Sequence, residues 1–262
     1  MASGPNVEGN LREAARLIQR AAEQGAQLVA LPEHFGIMGM REEDKVAVRE
    51  KEGSGPIQAF LSETARKHGI WLVGGSVPLE CRAPDKVRNS SLVYDATGRR
   101  VARYDKIHLF DVRLDNGEVY NESASIEPGD TPVVADTPFG KLGLAVCYDL
   151  RFPELFRRLL DQGAELFAVP SAFTVRTGRA HWEVLVRGRA VENLAYVIAA
   201  AQGGYHLNGR ETYGDSMIVN PWGEVLDRLA RGSGVVLADL DRRYFEHTRS
   251  SFPSIQHRKL RA

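Results

Sequence analysis

The sequence predicts one mixed α/β domain spanning residues 1–262 and containing more than one β-sheet. Three observations carry that prediction. Helical and strand-like segments alternate along the chain, hairpin signatures are interleaved among them, and the strands are too apolar to keep a face in water. Sheets covered on both sides explain the last point. With 262 residues, 43% of them hydrophobic and 26% charged, the chain has ordinary globular composition and can bury a large core. No repeat, low-complexity tract or linker interrupts it.

Residues 7–24 read as an amphipathic helix: Leu11, Ala14, Ala15, Ile18 and Ala22 recur at helical spacing, and Gly25 stands where a C-terminal cap belongs. "AQLVALPE" (26–33) is a short apolar strand ended by Pro32. "PIQAFLSETARKHG" (56–69) is a second helix, with Pro56 near its start and Gly69 past its end. "IWLVGGSVP" (70–78) reads as a second buried strand. Residues 91–109 read as two strands joined by a turn at 95–98. The same design recurs in 132–147 around 137–140, and in 216–230 around 220–223, where Pro presets φ and Gly tolerates its positive values. Helices are expected over 153–162 and 180–193, each followed by a strand, "AELFAVPS" and "LAYVIAAAQ". "GVVLADLD" (234–241) is the final expected strand.

Equal numbers of acidic and basic residues, 34 each, argue against a nucleic-acid footprint. No apolar run approaches the length needed to span a membrane, and "MASGPNVEGN" lacks the regions of a signal peptide. Two cysteines, Cys81 and Cys147, cannot form a disulfide framework and suit a reducing cytoplasm. Cys81, in "PLECRAPD", reads as an ordinary exposed thiol.

Three polar residues stand at the ends of apolar segments. Cys147, in "GLAVCYDLRFPE", lies where a buried strand turns into a helix. A nucleophile at such a turn is lifted above the sheet, and neighbouring backbone N–H groups and a positive helix end favour a thiolate and an oxyanion. A buried cysteine is equally at home as a small hydrophobe. Glu33, in "LVALPEHF", follows a strand at the sheet edge where ligands bind, or is a solvated loop residue. Lys106, in "RYDKIHLF", shares a face with Tyr104 and His108 by strand alternation, or lies on a wet face. Together a thiol, a carboxylate and an ammonium form a working set for acyl transfer. The thiolate attacks, the ammonium neutralises the oxyanion, and the carboxylate moves protons. A nearby ammonium is expected to lower the thiol's pKa.

"LPEHF", "YDKIHLFD" and "GLAVCYDLRFPE", in that order, resemble the three motif blocks of the nitrilase (carbon–nitrogen hydrolase) superfamily. The similarity runs from about residue 4 to the C-terminus through "PSAF", "AHWEVLVRGRA" and "YGDSMIVNPWG". The resemblance implies a four-layer αββα sandwich. It makes Cys147 the nucleophile, Glu33 the general base and acid, and Lys106, with the backbone N–H of Tyr148, the oxyanion stabiliser. Glu122, in "NESASIEPGD", matches a fourth position that helps to hold lysine and substrate. The resemblance implies no metal and no organic cofactor, and a homodimer formed through "HWEVLVRGRAVEN" and the C-terminal segment. Members begin with a strand just before the equivalent of Ser3 and Gly4, whereas here only Met1 and Ala2 precede them. Either the natural start lies upstream or that strand is lacking, which would leave neighbouring strands with an exposed edge.

Within the superfamily the flanking blocks resemble most the amidases of short 2-oxo-acid amides. Such substrates release either a dipeptide amine or ammonia, and the ammonia-releasing branch commonly has Gly at the position of Ser171. Their carboxylates call for a cation, and Arg176 and Arg179, in the expected loop after "PSAF", are the candidates. Other chemistries fit less well. A Cys–His hydrolase could use His34, His108 or His181, but Ala145 and Asp149 stand where a glycine-flanked elbow needs Gly. A metal site could use His34, His181 and Glu183, but no HExxH or paired-Cys spacing exists. A catalytically silent subunit would not need Glu33, Lys106, Glu122 and Cys147 together. Asp149 and Arg151 are expected to fix the turn through buried hydrogen bonds.

Overall fold

The computed structural model describes residues 1–115 and 117–260. In its first half, α1 (Val7–Glu23) leads into β1 (Leu28–Ala30), and the short α2 (Asp44–Ala47) and α3 (Pro56–His68) precede β2 (Trp71–Val73). β3 (Val77–Glu80), β4 (Val87–Tyr94), β5 (Arg100–Asp105), β6 (Asp111–Arg113) and β7 (Val119–Asn121) follow. The second half runs through β8 (Val134–Thr137), β9 (Gly140–Leu144), α4 (Pro153–Asp161), β10 (Leu166–Ala168), α5 (Val175–Asn193) and β11 (Tyr196–Ala199). It ends with β12 (Gly203–Tyr205), β13 (Glu211–Tyr213), β14 (Ser216–Val219), β15 (Val225–Leu229) and α6 (Arg242–Ser251).

Two sheets lie at the centre. One is ordered β1-β2-β4-β3, with β5 also on β4; the other runs β15-β14-β11-β10-β9-β8. β1 and β2 pair in parallel, as do β9, β10 and β11, while the hairpin partners are antiparallel. Helices α1 and α3 pack on each other, with α3 against the first sheet, and α4 and α5 cover the second. Between the sheets, Val73, Val93 and Tyr104 of the first share a core with Leu142, Leu144, Phe167 and Val197 of the second. This is a four-layer αββα sandwich. The central strands β4, β9, β10 and β11 are largely buried, which is why their sequences show so little alternation, whereas the edge strand β15 alternates.

Several elements depart from the sequence expectation. Residues 70–78 form two strands, because Gly75 (φ 50°) breaks the run and a Cβ there would stand 2.1 Å from the Pro32 carbonyl oxygen. The helix expected over 180–193 begins at Val175, since Thr174 caps it by accepting a hydrogen bond from the Thr177 N–H. Arg176 and Arg179 therefore ride on the first turns of α5 and not on a loop. Residues 234–241 form no strand, although "GVVLADLD" has the composition of one. They run along an apolar groove lined by Met1, Ile18, Leu28, Leu31 and Ile218, and they find no ladder neighbour among the described residues. Apolar pattern without a backbone partner does not make a strand. Hairpins β6–β7 and β12–β13 and helix α6 have weaker patterns and were not anticipated.

Candidate active site

Each candidate side chain is delivered by a chain reversal. After β1, the Leu31 N–H donates to the Val73 carbonyl, and Glu33 follows Pro32. His34 sits in the left-handed region (φ 57°), with its N–H on Ser76 Oγ at 2.9 Å, and the Gln202 side chain holds the Glu33 carbonyl at 3.1 Å. A non-glycine residue at positive φ persists only where its surroundings impose it. Lys106 leaves β5 with its N–H on the Asn89 carbonyl (3.0 Å) and its own carbonyl accepting from Gly129 (2.8 Å). Glu122 opens a single 3₁₀ turn, Glu122–Ala124, directly after β7.

Cys147 opens another 3₁₀ turn, Cys147–Arg151, ahead of α4, and it too has positive φ, 50°. Buried Asp149 builds this turn. One carboxylate oxygen accepts from the Val146 N–H (2.9 Å) and the Tyr104 hydroxyl (2.7 Å), while the other accepts from the His108 N–H (3.0 Å) and meets His108 Nδ1 (2.7 Å). Tyr104 is two residues before Lys106, so this one carboxylate sets the lysine strand against the cysteine turn. Asp149 thus does what was expected of it. Arg151 does not: it lines the cavity, stacked on the rings of Tyr148 and Phe173.

The four side chains meet. Lys106 Nζ donates to Glu33 Oε1 at 2.9 Å and to the two oxygens of Glu122 at 2.7 and 2.9 Å. Asn89 Nδ2 donates to the same Glu33 oxygen at 3.0 Å, and the Phe110 N–H donates to Glu122 at 2.7 Å. The sulfur of Cys147 accepts from the Ala172 N–H at 3.5 Å and lies near enough to Glu33 and Lys106 for both charges to act on it. Lys106 is only 2% exposed, so its charge has no solvent and depends on these carboxylates.

The electrostatics follow from that packing. Burial alone would raise the Glu33 carboxyl, but the Lys106 ammonium, His34 and the hydrogen bonds outweigh it and hold Glu33 at about 2. Burial opposes the charge of Lys106, yet Glu122 and Glu33 keep it protonated well above the usual lysine range. His34 is driven down to about 4 by burial, against the pull of Glu33. The thiol of Cys147 is pushed up by burial and by the Glu33 charge, and Lys106 lowers it too little to compensate. This corrects the expectation of an ammonium-activated thiolate. The ammonium is already shared between two carboxylates, so the resting sulfur is a thiol beside an ionised carboxylate.

These residues form the floor of a cavity of about 610 Å³ whose wall includes His34, Tyr120, Tyr148, Arg151, Arg176 and Arg210. That volume lies within the range of small-molecule sites. Tyr148 lines it beside the nucleophile. Arg176 also lines it, but is paired with Asp115. Arg179 is exposed and off the wall; Ser171 is also off the wall but fully buried, its hydroxyl donating to the Val169 carbonyl at 3.1 Å. Neither reaches the place where a substrate would lie.

The histidines serve elsewhere. His108 binds Asp149, His181 meets Arg151, and His34 stands 3.8 Å from Glu33. Glu33, His34 and Glu122 cluster closely enough to hold a cation, but the Lys106 ammonium already bridges the two carboxylates there. A metal would have to displace it, and the donor set does not fit one. Glu183, the other metal candidate, pairs with Arg187 and Arg228. Sequence reasoning missed Asn89 and Arg210. Asn89 carried no clear signal, since it lies in the polar run 88–91 that precedes the apolar end of β4.

A sandwich of this topology with a glutamate–lysine–cysteine floor defines a carbon–nitrogen hydrolase, and the chain belongs to that family, whose model matches residues 1–250. It is an amidase of the nitrilase superfamily. Deaminated glutathione amidase of Synechocystis is 41% identical over 98% of this chain and 95% of its own length. The NitFhit protein of C. elegans superposes with a TM-score of 0.91 at 37% identity, covering 99% of this chain; the chain spans 63% of that protein. An amidase from Nesterenkonia, described with acrylamide added to its active-site cysteine, gives a TM-score of 0.79 at 30% identity over 98% of this chain and 96% of its own.

Proposed function

We propose that this enzyme hydrolyses deaminated glutathione to 2-oxoglutarate and cysteinylglycine through a thioester on Cys147. The observation that carries the reading is the single hydrogen-bonded floor on which Lys106 joins Glu33 and Glu122 beside the sulfur. Ionised Glu33 takes the thiol proton as sulfur attacks the amide carbon. The carbonyl electrons move to oxygen, which Lys106 and the Tyr148 N–H hold. Protonated Glu33 returns that proton to the amide nitrogen, the C–N bond breaks, and the amine leaves. Water then gives a proton to Glu33 and attacks the thioester; the C–S bond breaks, and the thiol is restored as the acid departs. Glu122 keeps Lys106 placed and charged. Because burial and the Glu33 charge push the thiol's pKa up, proton transfer and attack are coupled.

The substrate follows from the relatives, since the Synechocystis enzyme bears that name at 41% identity. We further infer a homodimer. Val184 and Val191, one heptad apart on α5, are 71% and 48% exposed, and Trp222 and Phe252 stack edge-to-face with similar exposure. An apolar strip of this kind on the outer helical layer supports a partner subunit. Two unpaired cysteines support a reducing, cytoplasmic setting.

The test offers deaminated glutathione and 2-oxoglutaramate side by side, assaying cysteinylglycine and ammonia separately, with Cys147→Ala as control. Cysteinylglycine should be released with the higher kcat/KM, and the control should lose at least ~10⁴-fold. Ammonia from 2-oxoglutaramate as the only product would overturn the substrate; a control that turned over at the wild-type rate would overturn the thioester.

A further inference from the structure

The cavity wall carries three arginines, and their surroundings differ. Arg176 is neutralised by Asp115. Arg151 has its guanidinium 5.7 Å from the Tyr148 ring centre and 5.3 Å from that of Phe173, and meets His181 Nδ1 at 3.2 Å. Arg210 is left with a single protein acceptor among the described residues, the Ala172 carbonyl, 3.1 Å from Nη2. Its guanidinium lies over the Tyr120 ring at 5.5 Å, and its Nε is buried with no hydrogen-bond partner. No carboxylate among the described residues lies within ion-pair distance of it. Glu42, the acid whose titration it influences, is taken by Lys45 at 2.5 Å. A half-buried guanidinium with one neutral acceptor and an orphaned donor is incomplete by the usual standard of protein interiors.

Its anchor gives it a fixed relation to the chemistry. Ala172 directs its N–H at the Cys147 sulfur and its C=O at Arg210, so the guanidinium stands within roughly 10 Å of the sulfur along that path. In an extended five-carbon diacid monoamide, the amide carbon and the carboxylate carbon are roughly 5 Å apart. With the amide carbon at the sulfur, that carboxylate falls within reach of Arg210.

We propose that Arg210 is the specificity-determining residue that binds the substrate carboxylate, selecting amides that bear an anion about five carbons from the scissile bond. The proposal rests on the amidase reading above and adds to it the group that recognises the acid. Tyr120 is the platform that keeps the planar fork aligned, and the Ala172 peptide ties recognition to the nucleophile. A carboxylate arriving here supplies the counter-charge that the protein withholds, which a neutral amide cannot do.

The experiment uses glutaramate, the monoamide of a five-carbon diacid, and pentanamide, its neutral counterpart of equal length. Calorimetric binding is measured first in Cys147→Ala, which holds the amide without turnover. Glutaramate should bind at least tenfold tighter than pentanamide, and adding Arg210→Gln should abolish that preference, with Arg210→Lys restoring part of it. In the enzyme with Cys147 intact, Arg210→Gln should lower the glutaramate-to-pentanamide ratio of kcat/KM by roughly 50-fold, mainly through KM. Equal binding of the two amides by the parent, or a ratio unchanged by Arg210→Gln, overturns the assignment. Hydrolysis of neither amide, with the binding preference intact, would count against the amidase reading and leave the role of Arg210 standing.

Discussion

The floor and the wall of the cavity are built on opposite plans. On the floor every charge has its complement: Lys106 serves Glu33 and Glu122, Asn89 and the Phe110 N–H complete the carboxylates, and the sulfur accepts from the Ala172 N–H. On the wall, Arg151 and Arg210 have no carboxylate within ion-pair distance among the described residues, and Met40 and Val119 present apolar surface at 54% and 59% exposure. A saturated network is pre-organised and costs no rearrangement when charge develops. An unsaturated one waits for the ligand to complete it. The chemistry is therefore written into contacts the protein makes with itself, and the selection into contacts it leaves unmade.

The sharpest way to break that contrast is to remove one charge from the floor. Glu33→Gln keeps the size and a hydrogen-bonding end but cannot take a proton. Turnover of any amide should fall by about 10³-fold, within the range of a lost general base. The same change removes the negative charge that, with burial, holds the Cys147 thiol up, and leaves Lys106 to pull it down. The thiolate absorbance should then appear at lower pH than in the parent, and alkylation by chloroacetamide at neutral pH should quicken while hydrolysis collapses. A thiol that titrated no lower in Glu33→Gln would mean that the carboxylate does not govern the sulfur.

A second test acts through stability. His34, beside Glu33, is driven to about 4 in the folded protein, below the ordinary histidine value near 6.5. Between those two values the unfolded chain binds a proton that the native state refuses. The stabilisation from a neutral His34 is therefore fully present above about pH 6.5 and is lost as pH falls toward 4. At about 1.4 kcal/mol per unit, the loss amounts to ~3 kcal/mol. Denaturant midpoints measured across that window should slope downward for the parent, and His34→Gln should flatten the slope. Glu33 adds its own downward slope only from about pH 4.5 toward 2, so the part of the slope between about 6.5 and 5 belongs to His34.

Residues at chain reversals were the legible part of this molecule. Glu33, Lys106 and Cys147 each follow an apolar run, and the turn that ends the run is written in the local sequence, so both position and polarity were visible. Helices α1, α3 and α4 had clean periodicity with Pro or Gly at their ends. What escaped depended on partners distant in sequence. Residues 234–241 have strand composition but no neighbour to pair with among the described residues, and Arg210 takes its place on the wall only because the turn before β13 brings it against Ala172 and Tyr120. The raised thiol pKa could not be read either, since it depends on how many carboxylates share one ammonium. The loop expected to carry Arg176 and Arg179 was misjudged because a single threonine cap started α5 five residues early.

Ser171 shows the same lesson in its smallest form. The sequence resemblance offers its identity as a thin discriminator between two kinds of amidase, yet its side chain does not line the cavity. The hydroxyl is fully buried on the Val169 carbonyl at 3.1 Å, its N–H donates to Ala200 and its carbonyl accepts from Gln202, so it is a rung between strand ends. Ser171→Gly should therefore leave the ratio of kcat/KM for deaminated glutathione over 2-oxoglutaramate within about twofold of the parent, well inside 1 kcal/mol of discrimination. Its cost should fall on the scaffold: glycine adds about 0.5–1 kcal/mol of backbone entropy and the lost hydrogen bond about 1 kcal/mol. For a chain of this size that lowers Tm by about 2–6 °C. A large shift of preference toward 2-oxoglutaramate, with Tm unchanged, would mean that selection reaches beneath the wall, and the division between a self-satisfied floor and a ligand-completed wall would not hold.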